Sequence, residues 1–339
     1  MLLSNALNKT DGMKVFITRL IPEEGIRIMK EAGIEFTQWT ERRDVPQQEL
    51  IEICKNYDAL ISVGQDNINK KFLNACSHLK TIAQMAVGFD NIDIPEATRL
   101  RIPIGNTPGV LSNATADVAF LLMLMVSRKA IFMHKKIIRG EWGFYEPADN
   151  LGVELYGKTL GIFGLGKIGY EMAKRCTHTF DMQIIYYNRG NNVMAERELR
   201  AKKVSMDVLL AQSDVLSVHT SLTPETKGSF NLDVFRKMKK NSIFINTARG
   251  GIHNELDLLK ALREKMIWGA GLDVTNPEPM SADNPLLEMP NVAVLPHIGS
   301  ATLETRNAMA ALASLNIVAA SRGERLPHAV NPEVYDLPD

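Results

Sequence analysis

The stretch that decides the fold is Gly161-Ile162-Phe163-Gly164-Leu165-Gly166-Lys167-Ile168-Gly169, which contains a Gly-x-Gly-x-x-Gly turn. An apolar β-rich run leads into the turn and a helical pattern follows it, so the turn joins a predicted strand to a predicted helix. In such a turn Gly164 makes the bend, Gly166 lets the backbone approach a diphosphate, and Gly169 lets helix and strand pack. The helix N-terminus offers N–H groups and a positive dipole end to the phosphates. This context predicts a dinucleotide-binding turn and disfavours the alternative, a glycine-rich packing turn.

Strand and helix patterns alternate on both sides of this turn. Before it, strands are predicted at Lys14–Thr18, Ile34–Trp39, Ala59–Val63, Lys80–Met85 and Ile102–Gly105. From the turn onward, strands are predicted at Thr159–Phe163, Gln183–Tyr187, Val215–His219, Ser242–Asn246, Trp268–Asp273 and Val292–Leu295. Helical patterns fill the gaps, and this alternation is typical of βαβ units and parallel sheets.

Three further segments frame the alternating regions. Residues 1 to about 12 are polar, and a loose N-terminal arm is expected there. A helix over about Ala114–Ala130 is apolar on every side, which predicts burial between two domains or in a subunit interface. A last helix is predicted over about Leu303–Ser321.

Composition narrows the class of protein. The 339 residues are 45% hydrophobic and 23% charged, which are ordinary values for a globular protein. The 39 basic and 39 acidic side chains cancel, so no bulk field draws the chain to nucleic acid or a membrane. The longest apolar run, Val118–Val126, is well short of the roughly 20 residues of a membrane span. Three scattered cysteines and the absence of a signal-like N-terminus predict a cytoplasmic protein without a metal site.

The end of the strand after the glycine turn bears on cofactor choice. An NAD site usually has Asp or Glu there to accept a hydrogen bond from the ribose 2′-hydroxyl, but this chain has Asn188 and Arg189. Without a carboxylate there is no repulsion, and Arg189 can pair with a 2′-phosphate. The pattern predicts a preference for NADPH, with NADH also usable. The alternative is a solvated arginine and little selectivity.

Three polar residues follow three other predicted parallel strands. Arg249 lies in Asn246-Thr247-Ala248-Arg249-Gly250, Glu278 in Asn276-Pro277-Glu278-Pro279, and His297 in Leu295-Pro296-His297-Ile298-Gly299. Because ligands bind at the carboxyl ends of strands in open α/β sheets, topology is expected to bring them together. Arginine binds anions, histidine exchanges protons near neutral pH, and a carboxylate beside it orients the ring and favours its charged form. Taken singly, each residue favours a structural role, as a surface ion pair, a solvated loop residue or a structural histidine; together they predict a catalytic site.

These motifs resemble the D-isomer-specific 2-hydroxyacid dehydrogenases, most closely the glyoxylate/hydroxypyruvate reductases. The similarity extends over nearly the whole chain from Met13. Besides the glycine turn it is carried by Val87-Gly88-Phe89-Asp90-Asn91-Ile92-Asp93, Gly105-Asn106-Thr107-Pro108-Gly109-Val110-Leu111, Ser221-Leu222-Thr223-Pro224-Glu225-Thr226, Gly271-Leu272-Asp273-Val274-Thr275-Asn276-Pro277-Glu278-Pro279 and Leu295-Pro296-His297-Ile298-Gly299-Ser300-Ala301-Thr302.

The resemblance implies an α/β fold with two doubly wound, Rossmann-like parallel-sheet domains and a cleft between them. Residues 1–111 with 301–339 would form the substrate-binding, flavodoxin-like domain, and residues 112–300 the dinucleotide-binding domain. The implied reaction is NADPH-dependent reduction of small 2-oxo acids, glyoxylate to glycolate and hydroxypyruvate to D-glycerate.

The resemblance also implies roles for single residues. Arg249 would bind the 2-oxo acid and polarise its carbonyl, and His297, paired with Glu278, would be the acid–base group. The backbone N–H groups of Val87 and Gly88 would hold the substrate carboxylate. The cofactor site would include the glycine turn together with Asn188 and Arg189. It would also include Thr115, Ser221, Thr247, Ala248, Asp273 and Gly299.

The resemblance leaves two questions open, the place of Trp142 in a dimer and the exact activity. A homodimer is implied, in which Trp142 reaches the neighbouring subunit's active site or lies at the rim of its own. The alternative activities are an NAD-dependent D-lactate or D-3-phosphoglycerate dehydrogenase and, from another class, a dinucleotide-sensing, corepressor-like binding protein.

Overall fold

The computed structural model describes residues 12–337. The chain divides into two compact units: one runs to Leu111 and resumes at Thr302, and the other spans Ser112–Ala301. The predicted N-terminal arm lies outside the described residues, except for its last residue.

The first unit is built on a five-stranded parallel sheet with the order β2-β1-β3-β4-β5. Its strands are β1 (Lys14–Ile17), β2 (Glu35–Gln38), β3 (Ala59–Ser62), β4 (Thr81–Gln84) and β5 (Ile104–Gly105). Helices α1 (Glu23–Glu31), α2 (Gln47–Cys54), α3 (Lys70–Ala75) and α4 (Ile94–Arg99) connect them. Strands β3 and β4 are buried along their whole length, as expected for a parallel sheet covered on both faces.

The second unit contains a seven-stranded parallel sheet with the order β12-β11-β10-β9-β6-β7-β8. Its strands are β6 (Thr159–Phe163), β7 (Gln183–Tyr187), β8 (Lys202–Lys203), β9 (Val215–Val218), β10 (Ile243–Asn246), β11 (Gly269–Leu272) and β12 (Val292–Val294). Its helices are α5 (Ser112–Ser127), α6 (Ala130–Ile138), α7 (Lys167–Phe180), α8 (Val193–Leu199), α9 (Met206–Gln212), α10 (Leu232–Lys237) and α11 (Glu255–Arg263). The strand order reverses between β6 and β9, and ligands bind at such switch points in open sheets. Both sheets confirm the predicted doubly wound α/β class.

After the second unit the chain returns to the first as helix α12 (Leu303–Ser321), with the bounds predicted from the sequence. Helix α12 packs on α1 and on strands β3 and β4. The close approach of the two helices requires Gly25, because a Cβ there would lie 2.9 Å from the carbonyl oxygen of Ala310.

The predicted helix over Ala114–Ala130 is wrong at its C-terminal end. Helix α5 ends at Ser127, and a separate helix, α6, begins at Ala130 because Lys129 adopts a left-handed backbone with φ of 54°. Within this chain α5 buries one face in the core of its unit and leaves Leu121 39% exposed, so burial of that residue in a subunit interface stays a prediction. Helix α8 and strand β8 were not predicted. No helix of the described range 12–337 is long and apolar enough to cross a membrane.

Candidate active site

The three glycines of the turn differ in what surrounds them. Gly164 has φ of +97°, and a Cβ there would lie 2.8 Å from the carbonyl carbon of His219. At Gly169 a Cβ would lie 2.9 Å from the carbonyl oxygen of Gly164, so helix α7 packs tightly on the turn. At Gly166 a Cβ would meet nothing within 4 Å. The turn therefore keeps one face open where α7 begins, which is what close approach of a diphosphate requires.

Asn188 braces this turn from the end of β7. Its Oδ1 accepts a hydrogen bond from the N–H of Leu165 at 2.7 Å, and its Nδ2 donates to the Leu165 carbonyl oxygen at 3.1 Å. The Nδ2 of Asn192 donates to the same carbonyl oxygen at 3.0 Å. The amide that replaces the usual acidic residue thus holds the turn itself, while Arg189 beside it is exposed.

Several of the other predicted cofactor residues lie at the carboxyl edge of the same sheet. The Oγ1 atom of Thr247 is buried and has no hydrogen-bond partner among the described residues. Thr115, in the first turn of α5, lies against Gly299, where a Cβ would be 3.3 Å from the Thr115 methyl group. Ser221 follows β9 and is exposed. The open position at Gly166 and the unpartnered hydroxyl of Thr247 fit a dinucleotide.

Glu278 and His297 are in direct contact. The Nδ1 atom of His297 lies 2.5 Å from Oε1 of Glu278, and the two side chains are 41% and 25% exposed. Burial acts to raise the pKa of Glu278, but the hydrogen bond and charge of His297, with the Thr275 N–H and the charge of Arg249, hold that pKa below its ordinary value. Glu278 is therefore a carboxylate at neutral pH and keeps Nδ1 of the ring occupied, so that Nε2 is the nitrogen available for proton exchange.

Asp273 fixes the loop that carries His297. This residue is 1% exposed, and its two carboxylate oxygens accept hydrogen bonds from the N–H groups of Ile298 at 2.8 Å and Gly299 at 2.7 Å. Burial raises the pKa of Asp273, which these two hydrogen bonds oppose. His297 itself has φ of 54°, a left-handed conformation that costs a non-glycine residue roughly 1–3 kcal/mol. The loop tolerates this conformation because Asp273 holds the two residues that follow.

Asn246 holds the backbone of the loop that carries Arg249. It is fully buried at the end of β10, its Oδ1 accepts from the Ala248 N–H at 2.9 Å, and its Nδ2 donates to the Arg249 carbonyl oxygen at 2.9 Å. Nδ2 also lies 3.0 Å from Nδ1 of His253, which is 1% exposed. Burial lowers the pKa of His253 to about 4, so this imidazole is neutral and its Nδ1 accepts the hydrogen bond.

Packing joins the loop of Arg249 to the loop of Glu278. A Cβ on Gly250 would lie 1.8 Å from the Thr275 carbonyl oxygen, so only glycine lets the two loops meet. The Thr275 N–H is 3.5 Å from Oε2 of Glu278, and its hydroxyl donates to the Pro277 carbonyl oxygen at 2.7 Å. Tertiary structure thus brings the three predicted residues into one cluster, with Arg249 within electrostatic range of Glu278.

Val87 and Gly88 belong to the other unit and follow β4. Asn106 donates a side-chain hydrogen bond to the Val87 carbonyl oxygen at 2.9 Å, and the Thr107 N–H donates to the Ala86 carbonyl oxygen at 3.0 Å. These contacts order the backbone at the carboxyl edge of the first sheet. Their role in carboxylate binding stays a prediction. Within residues 12–337, no group of three or more His, Cys, Asp or Glu side chains is placed to hold a metal ion.

Sequence reasoning missed the supporting residues. The sequence predicted no role for Asn246 or His253, and it predicted only a cofactor-binding role for Asp273. Glu255, at the start of α11, was also missed: it accepts hydrogen bonds from the Asn276 N–H at 3.2 Å and the Asn284 side chain at 2.7 Å, and so braces the loop of Glu278. The one available signal was the amide at the end of β10, because buried polar side chains are normally hydrogen-bonded.

The chain is similar in sequence and in structure to known proteins. The family model of the D-isomer specific 2-hydroxyacid dehydrogenase, NAD binding domain, matches residues 120–299. A glyoxylate reductase from Thermococcus litoralis is 45% identical over 325 residues, which cover 95% of this chain and 97% of that protein. The crystal structure of a glyoxylate reductase from Paecilomyes thermophila has a TM-score of 0.84 at 33% identity, covering 94% of this chain and 98% of that one. A structure of the NADPH-dependent glyoxylate/hydroxypyruvate reductase from Sinorhizobium meliloti, in complex with NADP and malonate, has a TM-score of 0.82 at 28% identity, covering 94% and 97%.

Proposed function

The chain belongs to the D-isomer-specific 2-hydroxyacid dehydrogenases, an NAD(P)-dependent family, and on that premise we propose that it reduces glyoxylate to glycolate and hydroxypyruvate to D-glycerate. The observation that carries the proposal is the 2.5 Å contact between His297 and Glu278 beside Arg249, at the carboxyl edge of a sheet that also carries an open glycine turn. The unit of Ser112–Ala301 binds the dinucleotide, and the other unit contributes to substrate binding.

The residues of the cluster divide the chemistry of carbonyl reduction. The glycine turn, Asn188 and Thr247 would hold the reduced dinucleotide, whose nicotinamide would supply a hydride for C2 of the 2-oxo acid. His297 donates the proton from Nε2 to the carbonyl oxygen, and Glu278 holds the ring by Nδ1 and places a negative charge against the protonated ring. Arg249 polarises the carbonyl and stabilises the negative charge that develops on its oxygen. The N–H groups of Val87 and Gly88 hold the substrate carboxylate.

A preference for NADPH is part of the proposal. It is supported by Asn188 and Arg189, which replace the acidic residue of NAD sites, and by the engagement of the Asn188 side chain with the turn. The Sinorhizobium meliloti relative is NADPH-dependent. Arg189 is exposed beside the ribose position and supplies the charge that a 2′-phosphate needs.

We also propose a homodimer. No residue of α6 is buried, although six of its nine residues are apolar, and the segment that follows exposes Trp142 by 81%, Phe144 by 91% and Tyr145 by 80%. A second copy that covers this surface would remove a large apolar area from water and would let Trp142 reach the partner's site. Light scattering on the chain in solution tests the dimer, and a monomer at micromolar concentration would refute it. A cytoplasmic location stays a prediction.

Steady-state kinetics tests the activity. The assay uses glyoxylate, hydroxypyruvate, pyruvate and phosphohydroxypyruvate, each with NADPH and with NADH. We expect the highest kcat/KM on glyoxylate or hydroxypyruvate with NADPH. A higher kcat/KM on pyruvate or phosphohydroxypyruvate with NADH would support the alternative dehydrogenases, and absence of turnover on the whole panel would support a binding protein.

Two variants test the roles. His297→Ala and Arg249→Ala are each expected to lower kcat by about 10²-fold or more, since each removes a group that acts on the transition state. Binding of NADPH is expected to survive in both, because neither residue belongs to the glycine turn. Near-native kcat on glyoxylate in either variant would contradict the assignment.

A further inference from the structure

Strand β8 places a second cation beside the loop that carries Arg189. β8 pairs with β7 in parallel, with Lys202 opposite Ile185 and Lys203 opposite Tyr186. The Lys203 Nζ donates a hydrogen bond to the Arg189 carbonyl oxygen at 3.0 Å and another to Oδ1 of Asn191 at 3.2 Å. A residue at the edge of the sheet therefore reaches the loop that begins at the end of β7.

The backbone on both sides of this contact is anchored to the sheet. The loop is tied to the sheet at its far end, because the Asn192 N–H donates to the Tyr186 hydroxyl at 2.9 Å, and that hydroxyl donates to Glu196 at 2.6 Å. The Val204 N–H donates to the Tyr186 carbonyl oxygen at 2.9 Å, so the residue after Lys203 is bound to β7 as well. Lys203 thus projects from an anchored backbone and not from a free loop.

The charged groups around the loop indicate a function for Lys203. Glu225 lies within electrostatic range of Arg189, since Arg189 contributes, after the Thr223 and backbone hydrogen bonds, to the lowered pKa of that carboxyl. A 2′-phosphate at this loop would have to compete with the Glu225 carboxylate for the guanidinium. A second cation at the loop offsets that competition. The Lys203 ammonium group donates to two uncharged oxygens, the Arg189 carbonyl oxygen and Oδ1 of Asn191, so its charge is available to an anion.

We propose that Lys203 is a specificity-determining residue, which together with Arg189 recognises the 2′-phosphate of the dinucleotide. The inference rests on the proposed preference for NADPH and adds a second residue to it. The alternative explanation is that both lysines of β8 only protect an edge strand from pairing with another chain. Lys202, the neighbour on the same strand, provides the matched control for that explanation.

The test is direct binding, measured by calorimetry, of adenosine 2′,5′-bisphosphate and adenosine 5′-monophosphate, which differ by the 2′-phosphate. The proteins are the wild type, Lys203→Met, Lys203→Arg, Arg189→Met and Lys202→Met. Lys203→Met is expected to weaken bisphosphate binding about tenfold, as loss of one charged hydrogen bond would, and to leave monophosphate binding nearly unchanged. Lys203→Arg is expected to retain most of the bisphosphate affinity, and Lys202→Met all of it. A melting curve of each variant accompanies the titration.

The outcomes separate the two proposals. If the wild type binds both nucleotides equally, the NADPH preference is wrong and the role of Lys203 falls with it. If Arg189→Met loses the bisphosphate preference but Lys203→Met keeps it, the NADPH preference stands and the Lys203 inference is overturned. Equal weakening of both nucleotides by Lys203→Met, or the same loss in Lys202→Met, also overturns it. If Lys203→Met does not fold, the bisphosphate affinity of Lys203→Arg is compared with that of Lys202→Met. An affinity ten times lower in Lys203→Arg would count against the inference.

Discussion

Replacing Glu278 with glutamine changes one charge in the cluster and nearly nothing else. The side chain keeps its length and an oxygen that accepts from Nδ1 of His297, so the ion pair at 2.5 Å becomes a hydrogen bond to an uncharged amide. The imidazolium then loses the carboxylate that favours it. In the direction of 2-oxo acid reduction the ring must be protonated, so the decline of activity with rising pH is expected to begin at a lower pH.

The size of the change follows from the geometry. Glutamine removes the attraction between two unit charges, which is about 1 kcal/mol in bulk water for charges about 4 Å apart. Since 1.36 kcal/mol corresponds to one pH unit, the alkaline limb should move down by about one unit. His297 is 41% exposed, and solvent screening therefore makes one unit an upper value.

The assay is the pH dependence of kcat/KM with NADPH and glyoxylate for the wild type and Glu278→Gln. The reverse reaction, oxidation of glycolate, requires a neutral ring, so its acid limb should move to lower pH by the same amount. Glu264→Gln is the matched control, because Glu264 is a half-exposed acid at the end of α11 whose nearest cation is Lys260 at 3.9 Å. An unchanged profile in Glu278→Gln, or limbs that move in opposite directions in the two reactions, would refute the reasoning.

Three further predictions concern the supports of the site. Gly166→Val should lower dinucleotide affinity with little change in the melting temperature, because a Cβ there meets no protein atom within 4 Å; a large fall in melting temperature with unaltered affinity would contradict this. Asn246→Ala removes the hydrogen bonds that hold the Arg249 backbone, so it should raise the KM for glyoxylate far more than the Kd for NADPH and cost about 1–3 kcal/mol of stability. Kinetics and calorimetry measure the two constants, and an equal change in both would contradict the prediction. The pKa of His253 is lowered to about 4, so as pH falls from 6.5 toward 4 the unfolded chain takes up a proton that the folded chain does not, and stability should fall by up to about 1.4 kcal/mol per pH unit. Urea unfolding of His253→Gln between pH 4.5 and 7.5 should give a smaller acid loss than the wild type, and parallel curves would show that His253 contributes none of it.

Much of the fold and part of the site could be predicted from the sequence for a local reason. The roles of Gly164, Gly166 and Gly169 depend on a strand–turn–helix of nine residues, and the backbone limits of glycine act within it. Apart from β8, the strands of both sheets were predicted, because buried parallel strands form short apolar runs between helices. Arg249, Glu278 and His297 could be grouped because the carboxyl ends of parallel strands meet at one edge whatever the loops do.

Tertiary structure alone decided the rest, because it depends on contacts between distant parts of the chain. The contact of Glu278 with His297 spans 19 residues, and the grip of Asp273 on the loop that follows His297 spans 25 or 26. The neutral state of His253 results from burial, which no local pattern reveals. The break at Lys129 and the exposure of α6 are settled by backbone conformation and packing. Residue type and strand order determine which groups can meet; hydrogen-bond geometry and burial, which exist only in the folded chain, determine their charge and orientation.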